Sequence, residues 1–316
     1  ENQFYKGDYI NDIANNCYEK FKSLFNKELS PSDRINIVNF AIENLVNQTI
    51  QTLGSAGINF DEISYETNIM EKGYLPLILQ KLKQSDLTYK GQLNAPKDYT
   101  GTQKDNDLTI FKSTLFNDDE DRALTKNDGS PTYFANDIAY HEDKFQRGYN
   151  KLINIWGADH HGYIKRIEAS IETLGSSKEK LIVKLVQFAN LFKEGKKVKM
   201  STRSGEFFTL KDLIDDIGTD AARFYYLSKQ ADQHLDFDID LAKSDSKENI
   251  FYYIQYAHAR IVSLEEKALK KNSKIKTNIN NIENNSYKEC DKLIHEISKY
   301  PDVVNKAANA LQPHLV

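Results

Sequence analysis

Three short stretches of this sequence hold residue types that suit chemistry. The first is GKKVKMSTRSG at 195–205, which gathers Lys196, Lys197, Lys199 and Arg203 around Ser201 and Thr202 between two glycines. Positive charge, hydroxyl donors and a backbone free to close are what a bound triphosphate needs. An ordinary charged hairpin tip has the same composition, and neither the G-x-x-x-x-G-K-[ST] nor the G-x-G-x-x-G spacing is present. The second is WGADHHGY at 156–163. Here Asp159 can accept from a hydroxyl or amine, His160 can donate to a polar ligand, and Gly157 lets a ligand approach the backbone. The alternative reading makes Asp159 an N-cap and leaves His160 and His161 on the surface. Adjacent histidines on a helix diverge, so a shared metal is disfavoured. The third is YFANDIAYH at 133–141, where Tyr133 and Asp137 are four apart and share a helix face. A carboxylate beside a phenol suits a planar cation such as a guanidinium. A surface aspartate next to a half-buried tyrosine accounts for the same spacing.

Two acidic patterns carry less. Asp236, Asp238 and Asp240 alternate, but an EF-hand loop needs glycine where Leu241 stands, so a strand or turn with one polar face is the better account. The run NDDEDR at 117–122 reads as a solvated loop.

The elements around these stretches set their places. LINIW at 152–156 reads as a short strand, and Ile164, Ile167, Ile171 and Leu174 as a helical stripe ended by Gly175. WGADHHGY then lies where a strand's carboxyl end meets a helix's amino end. That is the ligand crevice of open α/β sheets, lined by unsatisfied N–H groups. Residues 180–192 read as a strand or strand plus turn, and VKMSTRSGEFFTL as a hairpin or a strand and loop. Thr209 and Asp212 form a capping box for a helix closed by Gly218. Upstream, helices are predicted near 11–29, 32–53 and 69–82, with 84–131 polar and turn-rich. In the second of these, Ile35, Val38, Ile42 and Leu45 keep helical spacing behind a Ser30-Pro31 start. From about 245 the chain reads as helix, with Ile250, Ile254, Ala257, Ile261 and Leu264 on one face. A Lys/Asn/Ser linker at 270–286 and two helices broken at Pro301 follow.

The 316 residues suit one large domain plus part or all of a second, and 40% hydrophobic residues suffice for a core. No apolar run approaches the ~18 residues of a membrane helix, and the opening ENQFYKGDYI has no signal-peptide core. The only cysteines, Cys17 and Cys290, lie far apart, which argues against a disulfide framework or zinc site and fits a reducing cytosol. The net charge of −4 neither requires nor excludes a nucleic acid, because local charge decides that.

In their order and spacing, these stretches resemble a class I aminoacyl-tRNA synthetase of the arginyl family. VKMSTR resembles the KMSKS loop that closes over ATP, and WGADHHGYIKRIEASIETLG resembles the strand, turn and helix beside the nucleotide. DDEDR, DGSPTYFANDIAYH and IGTDAARFYYLSKQADQHLDFDIDLA resemble the arginyl branch specifically. The resemblance runs from YKGDYI to the last helix. It implies an α/β fold: the second half of a Rossmann-type parallel-sheet nucleotide domain over 1–243, then the start of an α-helical anticodon-binding domain over 244–316. It implies a ligase that joins arginine and ATP into arginyl-adenylate and transfers the arginyl group to tRNA(Arg), in the cytoplasm. Mg2+ is expected to come with ATP and not to sit in a cage of protein ligands. By matching positions, Tyr133, Asp137 and His160 would bind the arginine side chain. Gly157, Asp159, Lys199, Met200, Ser201, Thr202 and Arg203 would face ATP, with Lys199 and Ser201 meeting the phosphates as catalytic groups.

Two departures stand out. Thr202 replaces the second lysine of K-M-S-K-S, which leaves open whether Arg203 or another cation meets the pyrophosphate. No H-x-G-H occurs anywhere in the chain. The expectation is therefore an internal piece of a synthetase, lacking the N-terminal domain, the HIGH-like motif and the end of the anticodon-binding domain, and inactive alone. The alternatives are a non-catalytic tRNA- or nucleotide-binding module of the same fold, and a class I nucleotidyl transferase with another substrate.

Overall fold

The polar stretch 84–131 folds into a small antiparallel sheet that its turn-rich sequence conceals. In the computed structural model, which describes residues 7–93, 107–175, 177–198, 208–271 and 290–316, strands β1 (Thr88–Gly91), β2 (Leu108–Phe111) and β3 (Arg122–Ala123) pair in that order. Ile110 and Phe111 are adjacent and both fully buried. A strand covered on both faces shows no alternation, so periodicity cannot reveal it. The acidic run beside it is solvated at Asp119 and Glu120, but Asp118 is buried. It wraps its own arginine: Arg122 donates to Asp118 through Nε at 2.9 Å and Nη2 at 3.1 Å, and pairs also with Asp119 and Glu120. Burial pushes the Asp118 carboxyl up, but the Arg122 bonds and charge outweigh it and hold it at about 2.

The chain divides into two units, and this sheet belongs to the one formed by Asp61–Phe188. Its α-helices among the described residues are α3 (Glu66–Glu71), α4 (Tyr74–Gln84), α5 (Tyr133–Gln146) and α6 (Ile164–Thr173). The single helix expected over 69–82 is two, because Gly73 takes a left-handed φ of 74° between them. Strands β4 (Leu152–Gly157) and β5 (Leu181–Val186) pair in parallel across the α6 crossover, Leu152 opposite Leu181 and Gly157 opposite Val186. Leu82, Phe111, Leu124, Ile138, Ile167 and Ile171 fill the core between them. The predicted strand and helical stripe around WGADHHGY are therefore present, with Ile167 and Ile171 fully buried.

The other unit combines Glu1–Phe60 with Ala189–Val316. Helix α1 (Asp8–Phe21) ends sooner than expected, and α2 (Pro31–Ser55) starts at the Ser30–Asp33 capping box. The Ile35, Val38, Ile42 and Leu45 stripe of α2 is exposed. Residues 180–192 hold two strands of different sheets, since β6 (Ala189–Lys193) pairs antiparallel with β7 (Lys196–Lys197) and parallel with β8 (Leu235–Asp238). β8 alternates as predicted: Leu235 and Phe237 are buried, Asp236 and Asp238 exposed. Helices α7 (Leu210–Ile217), α8 (Thr219–Leu227) and α9 (Ile239–Lys243) cover this sheet around Leu191, Leu213 and Phe237. Asp238 caps α9, accepting from the N–H groups of Asp240 and Leu241 at 3.0 Å each. Three further helices follow: α10 (Ile250–Lys271), α11 (Asp291–Ser298) and α12 (Tyr300–Ala310), the last with Pro301 in its first turn. Most of the linker expected at 270–286 lies outside the described residues. Among the described residues, no helix is long and apolar enough to cross a membrane.

One buried side chain ties the later helices together. Asn249, 2% exposed, accepts from the Tyr225 hydroxyl at 2.8 Å and donates to the carbonyls of Ala242 at 3.0 Å and Ser244 at 2.8 Å. Asn249→Ala would leave a hydroxyl and two carbonyls without partners, which costs about 2–3 kcal/mol. Urea denaturation of the chain should show that loss.

Candidate active site

The site is built on the first turns of α5. Thr132 caps that helix, its Oγ1 accepting from the Ala135 N–H at 3.3 Å. Tyr133 follows, 77% exposed, and Asp137 sits one turn on and half-buried. Helical geometry puts both on one wall of a cleft of about 260 Å3, which Glu66, Met70, Asn136 and Tyr140 also line. The cleft is acidic and aromatic. Asn136 donates its amide to Glu66, fixing that carboxylate at the rim.

Asp137 is only partly compensated. Tyr163 donates its hydroxyl to Asp137 Oδ2 at 2.7 Å. Burial pushes the Asp137 carboxyl above its ordinary range, although the Tyr163 bond and the charges of Lys144 and His160 pull the other way. Tyr163 is itself clamped edge-on by Phe134 and Trp156, with the Arg166 guanidinium 4.8 Å from its ring centre. A half-buried carboxylate with spare lone pairs facing an open cleft suits an incoming cation.

Beneath Asp137 runs a chain of buried polar groups. Lys144 Nζ donates to Asn154 Oδ1 at 3.1 Å, and the Asn154 amide meets His141 Nε2 at 2.8 Å. His141 Nδ1 lies 2.7 Å from the Asp137 carbonyl. Lysine has only donors, so it must face the amide oxygen, and the amide nitrogen then donates to Nε2. That leaves Nδ1 carrying the proton, in a neutral ring. Burial favours the neutral form and brings His141 down to about 4. Burial likewise lowers Lys144 to about 8, with the Asp137 charge opposing.

An ion cluster joins the Glu66 segment to the same helix. Buried Asp143 accepts from Lys72 at 2.6 Å and from Arg147 Nε at 2.9 Å. Arg147 also reaches Ser64 Oγ at 2.7 Å and Glu62 at 3.3 Å. Burial alone would raise the Asp143 carboxyl, but the two cations hold it below the ordinary value.

The strand end carries the second stretch. Between β4 and α6 stands a 3₁₀ helix, Ala158–Tyr163, and neither it nor α6 takes a side-chain cap, so Asp159 is not the N-cap. A Cβ on Gly157 would lie 2.4 Å from Asp159 Oδ1, so glycine makes room for that carboxylate. His160 stands 3.7 Å from Asp159 and edge-on to Tyr163, with both side chains well exposed. Tyr133 and Asp137 are thus together in one cleft, and His160 adjoins it through Tyr163.

Lys199, Met200, Ser201, Thr202 and Arg203 lie outside the described residues. Their flanks are firm. Glu194 and Gly195 turn the β6–β7 hairpin at positive φ, and Asp240 accepts the Glu194 N–H. On the far side, Thr209 Oγ1 accepts from Asp212 N at 3.0 Å and Asp212 Oδ2 from Thr209 N at 2.8 Å, as the capping box predicts.

Glu66, Tyr140, His141, Lys144 and Tyr163 escape a reading of the sequence by motif. For Tyr163 a signal exists, since it closes WGADHHGY. For Glu66 none does, because it lies 70 positions from its partner Asn136.

Comparison with known proteins completes the assignment. The family of tRNA synthetases class I (R), catalytic domain, matches residues 11–272, and the DALR anticodon binding domain matches residues 254–316. An arginine–tRNA ligase of Halorhodospira halophila is 40% identical over 284 residues, 89% of this chain and 46% of that protein. One of Bacillus licheniformis is 39% identical over 313 residues, 99% of this chain and 53% of that protein. This chain thus spans about half the length of these relatives. The crystal structure of an arginyl-tRNA synthetase from Campylobacter jejuni superposes with a TM-score of 0.80 at 34% identity, covering 99% of this chain and 65% of that one. With the catalytic family matching most of the residues and the parallel strands and helical segments in place, the chain belongs to the arginyl family of class I aminoacyl-tRNA synthetases, and it has their α/β fold with a helical DALR domain.

Proposed function

We propose that this chain carries the arginine-reading and phosphate-closing parts of an enzyme that attaches arginine to tRNA(Arg) through arginyl-adenylate. The observation that carries this reading is the cleft on α5, where Asp137, partly buried and short of a cation, faces open space beside Tyr133 and Glu66. A guanidinium is planar and forked, so fixed carboxylates and phenols grip it better than they grip the point charge of lysine. His160, beside Tyr163, would close the far end of the side-chain pocket.

In the reaction, the arginine carboxylate attacks the α-phosphate of ATP and pyrophosphate leaves. A hydroxyl of the tRNA's terminal ribose then takes the arginyl group from AMP. The protein's part is positioning and charge stabilisation, with no covalent enzyme intermediate. Lys199 and Ser201 would meet the displaced phosphates, with Met200, Thr202 and Arg203 completing the loop. Gly157 and Asp159 would meet the nucleotide at the end of β4. Mg2+ would arrive on the phosphate oxygens of ATP. We assign 1–243 to the catalytic portion and 244–316 to the start of the helical anticodon-binding domain, in a cytoplasmic enzyme. By themselves the 316 residues, which contain no H-x-G-H, should not support ATP–pyrophosphate exchange.

Two measurements test the arginine site. In the intact enzyme, Asp137→Ala removes a charged hydrogen bond worth about 1.5–3 kcal/mol, so the KM for arginine should rise roughly 10- to 100-fold. The KM for ATP should stay within about twofold; equal effects on both substrates would sink the assignment. The second measurement is stability. A carboxyl whose folded pKa is raised contributes stability below its ordinary titration, and loses it as the pH rises. At pH 7 the empty site therefore costs stability, and Asp137→Asn should raise the urea midpoint of the chain. The gain should shrink as the pH falls through the titration of the native carboxyl.

A further inference from the structure

Asp137 and the residues that orient and adjoin it sit on different elements: Asp137 on α5, and His160 and Tyr163 beyond the end of β4. Something must set the spacing of helix and strand finely enough that the Tyr163 hydroxyl reaches Asp137 at 2.7 Å. Apolar packing tolerates small slips of a helix along a strand, whereas hydrogen bonds in series do not.

One polar series does span the two elements. The ring of His141 donates to the backbone carbonyl of Asp137 itself at 2.7 Å, using a carbonyl that the helix ladder also uses. Its other nitrogen meets Asn154 on β4 at 2.8 Å, three residues before Gly157. Lys144, returning from the next turns of α5, donates to the same amide at 3.1 Å and fixes which way it points. His141 and Asn154 are 2% and 5% exposed, so water cannot replace either bond. Tyr140, a wall of the cleft, lies with its ring centre 4.1 Å from the Lys144 ammonium, so the same cation steadies that wall.

We infer that Asn154, His141 and Lys144 act as a positioning strut for substrate recognition, setting α5 against β4 so that the Asp137 carboxylate is aimed into the cleft. None of the three touches the ligand. The inference rests on the proposed role of Asp137 as the guanidinium acceptor.

Asn154→Leu cuts both bonds of the strut at similar volume. In the intact enzyme it should raise the KM for arginine about tenfold while leaving the KM for ATP within twofold. Asn154→Asp should rescue: its carboxylate can accept from Lys144 and from a doubly protonated His141, so the arginine KM should return to within about threefold. An Asn154→Leu variant whose arginine KM is unchanged, or whose arginine and ATP constants worsen alike, overturns the strut. So does failure of Asn154→Asp to recover. Asp137→Ala measured in parallel separates the two claims: if it spares arginine binding, the guanidinium assignment is wrong. If it impairs binding and Asn154→Leu does not, only the strut is wrong. Side-chain 15N spectra of the unaltered chain test the bonds of the strut even if a variant does not fold. His141 should show a proton on Nδ1 and a hydrogen-bonded, unprotonated Nε2; the opposite tautomer overturns the inference.

Discussion

The site is organised around a carboxylate that the protein leaves incompletely satisfied. Asp137 is held out of bulk water, receives one hydroxyl at 2.7 Å, and feels Lys144 and His160 only at a distance. Each of its surroundings makes sense as a response to that constraint. Tyr163 supplies the one direct donor and is clamped by aromatic edges. The cleft in front stays open, so the remaining lone pairs point at whatever cation enters. Glu66 across the rim adds negative charge, which pushes the Asp137 carboxyl up further.

What holds such a site in place is a division of labour between ion pairs and apolar packing. Phe111, Leu124, Ile138 and Ile167 give the unit its core, but they cannot fix direction. Direction comes from the Asp143 cluster, which ties segment 62–72 to α5 through Lys72 and Arg147, and from the His141–Asn154 series, which ties α5 to β4. The second is buried at His141 and Asn154, while the first sets buried Asp143 against partly exposed cations; hydrogen bonds to buried groups specify one arrangement. Arg122 and its three carboxylates do the same for the small sheet. The described residues on either side of 199–207 are held by a tight hairpin on one side and a capping box on the other.

Much was legible in the residues alone. Capping boxes at Ser30 and Thr209, the alternation of Leu235 and Phe237, the stripe of Ile167 and Ile171, and the shared face of Tyr133 and Asp137 all depend on neighbours within a few positions. Local spacing carries such information, because helix and strand periods are themselves local. The order of the motifs carried the family as well.

Other features are decided only in three dimensions. The strand Leu108–Phe111 lost its alternation because both faces are covered, and the acidic run became a cage because Arg122 is buried among its own carboxylates. Glu66 entered the cleft from 70 positions away, and His141, a helix residue like any other in the sequence, became neutral because burial outweighs its chance to take a charge. The sequence by itself determined which elements form and which chemistry they carry. Tertiary structure decided which side chains lose their water, and with it which carboxylates stay paired and which one is only partly compensated, because desolvation depends on everything packed around a group and not on its neighbours along the chain.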